Sequence, residues 1–151
     1  MPYDTEQELF NVAINSSFIE ELSSSELSSK LIEPRGLFGI PDLLIANQEK
    51  EKDNDIRTTI IAFEMKLRNW KRALSQAFKY RAFANISYVV IDHDYSNAAL
   101  KNIEKFKRSN IGLVSIDKEG QVYSHFMPSY DEPYCDYYKS YLSEVVGLSI
   151  I

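Results

Sequence analysis

The chain has 151 residues, of which 44% are hydrophobic and 26% are charged, and its net charge is −5. This composition is that of an ordinary globular protein, and the length predicts one domain, residues 1–151, able to bury about 68–70% of its unfolded surface. No apolar run approaches the ~20 residues of a membrane span, and Cys135, the only cysteine, excludes an intrachain disulfide and a cysteine-ligated iron–sulfur cluster.

The N-terminal elements are predicted to be a helix and a short strand. Apolar residues recur at helical spacing over residues 4–22, and Asp4 or Thr5 is placed to cap the helix. The serine-rich residues 23–29 are predicted to form a turn. A short strand is then predicted over residues 31–33.

Two strands and the loop between them are predicted next. Residues 39–46 form an apolar strand whose start, at Pro41, lies at an edge or a bulge. Residues 58–67 are apolar on both faces, so this strand is predicted to be central in the sheet. The charged residues 47–57 between them predict a hairpin, which makes the two strands antiparallel neighbours.

The second half of the chain alternates helices and strands. We predict helices over 69–84, 97–108 and 134–146, the last ending at Gly147, and strands over 87–91, 111–116 and 122–126. A strand–helix–strand crossover within this order implies parallel neighbours beside the hairpin. The predicted fold is therefore α/β, a central mixed β-sheet flanked by helices.

Two carboxylates and a lysine are predicted to meet at one end of the sheet. Side chains two apart on a strand share a face, so Glu64 and Lys66 point the same way and Met65 points into the core. Asp42 lies near the start of the preceding strand, and antiparallel pairing brings it beside Glu64. Two hard oxygen ligands suit Mg²⁺ or Mn²⁺, which lowers the pKa of a bound water, and Lys66 can orient that water or offset transition-state charge.

The following helix adds polar and basic side chains to this prediction. Gln76 and Tyr80 are four residues apart and share a helix face, with Arg72 one turn earlier. The Gln76 amide and the Tyr80 hydroxyl can each bind a carboxylate, a water or a phosphate. Arg72 can bind a phosphate through a forked contact. Between residues 66 and 81 the chain has cations and no acid, and the exposed cations predicted to bind substrate are Arg68, Lys71, Arg72 and Lys79.

In order and spacing, the set Pro41-Asp42, Glu64-Met65-Lys66 and Gln76-x-x-x-Tyr80 resembles the PD-(D/E)XK nuclease superfamily, which has the restriction-endonuclease-like fold. The Gln-x-x-x-Tyr element resembles the RecB-like branch. The resemblance implies that Asp42 and Glu64 ligate Mg²⁺ together with the main-chain carbonyl of Met65. Lys66 would then serve the attacking water, and Gln76 and Tyr80 would support the site.

The resemblance leaves one ligand open and implies an activity. Family members often add a glutamate from the first helix, and Glu6, Glu8 and Glu20 all qualify. The implied activity is a Mg²⁺-dependent nuclease that hydrolyses phosphodiester bonds by in-line attack of water, with DNA rather than RNA as the expected substrate. The alternatives are a catalytically inactive domain of the same fold that binds nucleic acid or protein, and an interaction module.

Other side chains are given structural interpretations. Asp92-His93-Asp94 is predicted to be a loop with capping carboxylates rather than a metal site, and His125 a hydrogen-bonded histidine in a strand. The five tyrosines between residues 130 and 141 are assigned to packing of the last helix, with base stacking or a homodimer interface as alternatives. The acidic start of the chain and the lone cysteine predict a cytoplasmic protein without a membrane partner.

Overall fold

The structure, a computed structural model, describes the backbone of residues 1–150 and the side chains of residues 1–145. Within this range one mixed sheet has the strand order β1-β2-β3-β4-β5-β6. Its strands are β1 Leu27–Ile32, β2 Leu43–Lys50, β3 Ile56–Lys66, β4 Ile86–Asp92, β5 Gly112–Ile116 and β6 Val122–Phe126. The helices are α1 Glu6–Ile14, α2 Ser17–Leu22, α3 Trp70–Tyr80, α4 Ser96–Leu100, α5 Ile103–Ser109 and α6 Lys139–Ile150.

Strand directions explain how the sheet combines a hairpin with a crossover. β2 pairs antiparallel with β1 and with β3, β4 pairs parallel with β3 and with β5, and β6 returns antiparallel to β5. The predicted hairpin between β2 and β3 and the central position of β3 are confirmed. The α/β class with a helix-flanked mixed sheet is likewise confirmed.

Both faces of the sheet are buried because its central strands are apolar on both sides. Along β3, Phe63 and Met65 join the cluster under α1 and α2, whereas Ile60 and Ala62 pack towards Tyr80 on the α3 side. Trp70, Ala73 and Ala77 of α3 join residues of β4, α4 and α5 in a third cluster on that second face. Glu64 therefore lies on the α3 face, opposite Met65.

The predicted helix over residues 4–22 is wrong, because α1 ends at Ile14 and α2 begins at Ser17. Ser16 separates them: its hydroxyl donates to the Ala13 carbonyl and accepts from the Ile19 N–H, capping α2. Thr5 caps α1 as predicted, accepting from the Glu8 N–H.

The first two strands differ in position from the prediction. β1 begins at Leu27, within the serine-rich segment predicted as a turn, because Ser28 and Ser29 pair with β2. β2 begins at Leu43 and extends to Lys50, so Gly39 and Pro41 belong to the loop before it. Hydrogen bonds to the neighbouring strands outweigh the low strand propensity of the serines in β1 and of the charged residues at the end of β2.

The later helices are shorter or divided. α3 ends at Tyr80 rather than at residue 84, because the N–H groups of residues 81–83 bond to carbonyls three residues earlier and turn the chain into β4. The predicted helix over 97–108 is two helices, α4 and α5, which meet at residues 101–102.

The last helix is also displaced. It begins at Lys139, after a 3₁₀ turn at Asp136–Tyr138, because the N–H groups of Tyr134 and Cys135 bond to the carbonyls of residues 81 and 82. It continues past Gly147 to Ile150, since glycine permits a left-handed helix end without imposing one.

Candidate active site

The register of β2 and β3 brings Asp42 beside Glu64. Leu43 pairs with Phe63, and the Asp42 N–H donates to the Phe63 carbonyl at 3.0 Å, so Asp42 continues the antiparallel ladder by one residue. The Asp42 side chain turns back onto β3, where Oδ2 accepts from the Met65 N–H at 2.7 Å. The strand pairing itself therefore holds this carboxylate at the end of β3.

The strand register makes Asp42 and Glu64 neighbours, close enough for each carboxyl to affect the ionisation of the other. Burial raises the pKa of Glu64 to about 7, and the negative charge of Asp42 adds to this effect. The pKa of Asp42 is also raised, mainly by burial, against the lowering effect of its bond from the Met65 N–H. Because both pKa values are raised, the two carboxyls are difficult to ionise together, and a nearby cation would stabilise the doubly ionised pair.

Lys66 lies at the same sheet edge and contacts the first helix. Its Nζ is 3.8 Å from Glu6 Oε2, and its positive charge lowers the pKa of both site carboxyls. Of the three glutamates left open by the sequence, Glu6 is the one at the site. Glu8 bonds the Asp4 N–H at the start of α1, and Glu20 is exposed on α2.

Tyr80 connects α3 to the site through its hydroxyl group. The Oη atom lies 2.7 Å from Glu64 Oε1 and 2.9 Å from the Ile40 carbonyl oxygen. A hydroxyl has one proton to donate, so Tyr80 donates to the ionised Glu64 carboxylate or to the Ile40 carbonyl, and not to both at once. Burial, with the adjacent Glu64, raises the pKa of Tyr80 well above its usual range, so the phenol remains protonated.

The loop before Asp42 packs against the Tyr80 ring. Gly39 has a φ of +90°, and a Cβ there would lie 2.9 Å from Tyr80 Cε1. This close approach requires glycine for both its backbone conformation and its missing side chain. The loop is thus held against Tyr80 before it delivers Asp42 to the site.

The structure does not draw the remaining helix residues into direct contact with the carboxyl pair. Gln76 is half-buried one turn before Tyr80, and among the residues described its amide makes no hydrogen bond. Arg68, Lys71, Arg72 and Lys79 are all exposed along the start and outer side of α3. Of these, Arg68 lies over the Tyr95 ring at 5.6 Å.

A cavity opens beside Asp42 on the α1 face, and part of its lining was not predicted from the sequence. Its lining includes Glu6, Asp42 and Met65 together with Ile32 and Glu33, at the end of β1. The Glu33 N–H donates to the Asp42 carbonyl at 3.2 Å. Glu33 lies beside Asp42 because β1 pairs antiparallel with β2, with Ile32 opposite Leu43. This register was not predicted, because the predicted strand began at residue 31 rather than at Leu27.

The donor set fits a hard divalent cation held partly by groups other than side chains. Within residues 1–145, no cluster of three or more His, Cys, Asp and Glu side chains is arranged to hold a metal by itself. Mg²⁺ commonly binds proteins through one or two carboxylates and completes its coordination with waters and substrate phosphate. Asp42 and Glu64 match that requirement, and the Met65 carbonyl as a further ligand stays a prediction.

The other candidate residues have structural partners. Asp92 is fully buried, accepts from the Tyr3 N–H at 2.8 Å and caps the next turn through the Asp94 N–H at 3.0 Å. His125 Nε2 lies 2.7 Å from Ser115 Oγ. The capping role is confirmed for Asp92 and the hydrogen bond is confirmed for His125, whereas His93–Tyr95 forms a 3₁₀ helix rather than the predicted loop.

The C-terminal tyrosines are divided between packing and exposure. Tyr138 packs against Phe83, with ring centroids 5.9 Å apart, whereas Tyr137 is 81% exposed. Tyr141 donates to the Arg35 carbonyl, which anchors the loop before β2. Packing therefore accounts for part of this cluster.

No protein-family model, curated protein or solved structure matches the chain. The described part of the chain also contains no helix with the length and apolar character needed to cross a bilayer. Function is therefore inferred from the side chains at the edge of β2 and β3.

Proposed function

We propose that the chain is a metal-dependent nuclease with a restriction-endonuclease-like fold, which hydrolyses phosphodiester bonds, with DNA rather than RNA as its expected substrate. One observation carries the proposal: the half-buried Asp42 and the buried Glu64 are neighbours across β2 and β3, with Lys66 at the same sheet edge. Burying two carboxyls together is unfavourable unless a cation or a proton relieves their repulsion. Bound Mg²⁺ or Mn²⁺ would supply the positive charge that relieves the repulsion between the two carboxylates.

Each side chain has a distinct part in the proposed reaction. Asp42 and Glu64 would hold the cation, and the Met65 N–H and the Tyr80 hydroxyl orient the two carboxyls. A divalent cation bound there supplies a Lewis acid that lowers the pKa of water and offsets phosphate charge. Lys66 places a positive charge beside the phosphoryl group and the attacking water. Hydrolysis then forms one P–O bond to water and breaks one to the leaving oxygen.

The pKa of Glu64 sets a condition on cation binding. With a pKa of about 7, this carboxyl is partly protonated at neutral pH. Metal ligands must be deprotonated, so cation binding should release protons and strengthen as the pH rises. Activity is therefore expected to increase between about pH 6 and pH 8, provided that chemistry and not product release limits the rate.

A second candidate is a catalytically inactive domain of the same fold that binds nucleic acid or protein. Lys66 favours it, because its ammonium group is paired with Glu6 at 3.8 Å and is less available to a phosphate. The net charge of −5 points the same way. In this alternative the carboxyl pair is a structural remnant, and removal of either acid leaves ligand binding unchanged.

Cleavage assays with matched variants distinguish the two candidates. Supercoiled, linear and single-stranded DNA are incubated with the protein and Mg²⁺ or Mn²⁺, with EDTA as the blank. Asp42→Asn, Glu64→Gln and Lys66→Met should each lower cleavage by about 100-fold or more, as expected when one transition-state contact is lost. Glu20→Gln, on exposed α2, is the control and should cut at the wild-type rate.

Metal binding is measured separately by calorimetry with Mn²⁺. The proposal expects wild-type protein to bind Mn²⁺ and both Asp42→Asn and Glu64→Gln to lose that binding. Cleavage that persists in all three site variants would contradict the proposed site. Absence of both cleavage and Mn²⁺ binding in the wild-type protein would support the inactive domain.

A further inference from the structure

A basic groove follows the outer side of α3, on the second face of the molecule and away from the cavity beside Asp42. Two adjoining depressions form it, one where α3 begins near Tyr95 and one between α3 and α5, and they share Trp70 and Lys71. We define the basic groove by four cations and one exposed aromatic residue: Arg68, Lys71, Lys79, Lys105 and Phe78.

The charge in the basic groove is of one sign. Its lining contains four cations and no aspartate or glutamate. Among the described residues, none of the four forms a salt bridge. The groove is therefore locally positive, although the chain as a whole has a net charge of −5. A strip of unpaired cations attracts a polyanion.

Aromatic rings position two of these cations. The Nζ atoms of Lys71 and Lys105 lie 5.8 and 5.4 Å from the Trp70 ring centroid, although the two lysines come from different helices. Trp70 is buried at 7% exposure, so its ring is a fixed point beside which both ammonium groups lie, while the two lysines stay exposed. Tertiary packing, not sequence proximity, brings Lys105 into the strip.

The floor of the basic groove is apolar and partly exposed. Phe78 is 44% exposed, and its ring lies 6.1 Å from that of Tyr134, which is 61% exposed. Duplex nucleic acid presents phosphates outwards and keeps its bases stacked inside. A single strand offers both phosphates for the lysines and unstacked bases for the exposed rings, which is how sequence-tolerant single-strand sites bind.

We propose that the basic groove binds single-stranded nucleic acid. From Lys71 to Lys79, α3 rises about 12 Å, which accommodates a few nucleotides. Arg68 lies just past the end of β3, so the strip begins at the sheet edge that holds the carboxyl pair. The binding needs no metal; only its use, to guide a strand towards the cleavage site, rests on the proposed nuclease function.

The magnitude of the effect follows from counting the phosphate contacts. For a single strand the slope of log K against log salt is about −0.7 per neutralised phosphate, so four contacts give about −2.8. Affinity should then fall about 50-fold between roughly 50 and 200 mM salt. Losing two contacts should reduce the slope to about −1.4 and the fall to about 7-fold.

The test is fluorescence anisotropy with labelled oligothymidylate of about 20 nucleotides, in EDTA, so that cleavage plays no part. Lys71→Ala/Lys105→Ala should weaken binding at least 10-fold at low salt and halve the salt slope. Lys50→Ala/Lys52→Ala removes the same charge from the exposed end of the β2–β3 hairpin and should change affinity less than twofold. Phe78→Ala should weaken binding about 5-fold or more with an unchanged salt slope.

Competition with unlabelled polyanions shows which kind of polyanion the basic groove prefers. Unlabelled single strand should displace the probe at lower concentration than blunt duplex of equal length, and polyglutamate should displace it poorly. Equal losses in the two lysine pairs, preference for duplex, or displacement by polyglutamate at the same charge concentration would each overturn the proposal. Because binding is read in EDTA and cleavage with Mg²⁺, failure of one does not produce failure of the other.

Discussion

Glu64 is expected to lower the stability of the protein as the pH rises, when no divalent cation is present. Its pKa is about 7 in the folded protein against an ordinary value of 4.5, and its side chain is only 6% exposed. A pKa difference of this size is equivalent to about 3 kcal/mol. The stability linked to a raised pKa is fully present below the ordinary value and is lost as the pH rises through the folded value.

The assay is denaturant unfolding in EDTA at about pH 5, 6, 7 and 8. Between pH 5 and pH 8 the free energy of unfolding of the wild-type protein should fall by about 2 kcal/mol through Glu64. Glu64→Gln keeps an oxygen that accepts from Tyr80 and removes the titrating charge, so its free energy of unfolding should be nearly flat over the same range. All other ionisable groups are common to both proteins, so the difference between the two curves reports the change at residue 64.

The same experiment tests cation binding. Adding Mg²⁺ at about pH 8 should restore stability to the wild-type protein, by about 3 kcal/mol at a hundredfold excess over Kd. Glu64→Gln should show no such gain. Parallel pH curves for the wild-type protein and Glu64→Gln would refute the reasoning, because they would show that Glu64 is not held in the buried, mutually repelling pair described above.

Three further substitutions test how the site is supported. Tyr80→Phe removes the hydroxyl between the loop and Glu64; we expect a loss of about 1–2 kcal/mol in unfolding measurements and a still higher pKa for Glu64 by NMR titration. Gly39→Ala should destabilise more than Gly120→Ala, because both have a φ near +90° but only the first meets a side chain within 3.0 Å; equal thermal shifts would argue against the close packing on Tyr80. Asn85→Ala removes a buried amide that accepts from the backbone of β3 and donates to a carbonyl, which should cost about 2–4 kcal/mol, and a change below about 0.5 kcal/mol would contradict that role.

The neighbouring acids illustrate how far local pattern reaches. The two-faced apolar run of β3 predicts a central strand, and the charged segment before it predicts a hairpin, so Asp42 and Glu64 become neighbours by strand pairing alone. That part of the candidate site was readable because side chains alternate with a period of two and a hairpin fixes which residues pair. The roles of these side chains in catalysis remain predictions that the experiments above address.

Element ends were less predictable than element types. Ser16 divides the first helix because its hydroxyl competes for backbone groups, and β1 begins among serines because β2 offers a ladder of partners. Both outcomes depend on hydrogen bonds that propensity does not contain.

The sequence by itself determined the central β3 strand, its hairpin with β2 and hence the meeting of the two acids, since these follow from interactions between residues close along the chain. Only the tertiary structure decided that Glu6 and not Glu8 or Glu20 reaches Lys66, that the Tyr80 hydroxyl ends at Glu64, and that Lys105 joins the cations of α3. These contacts depend on how helices dock on the sheet. Docking is set by packing among residues far apart in sequence, and no local period encodes it.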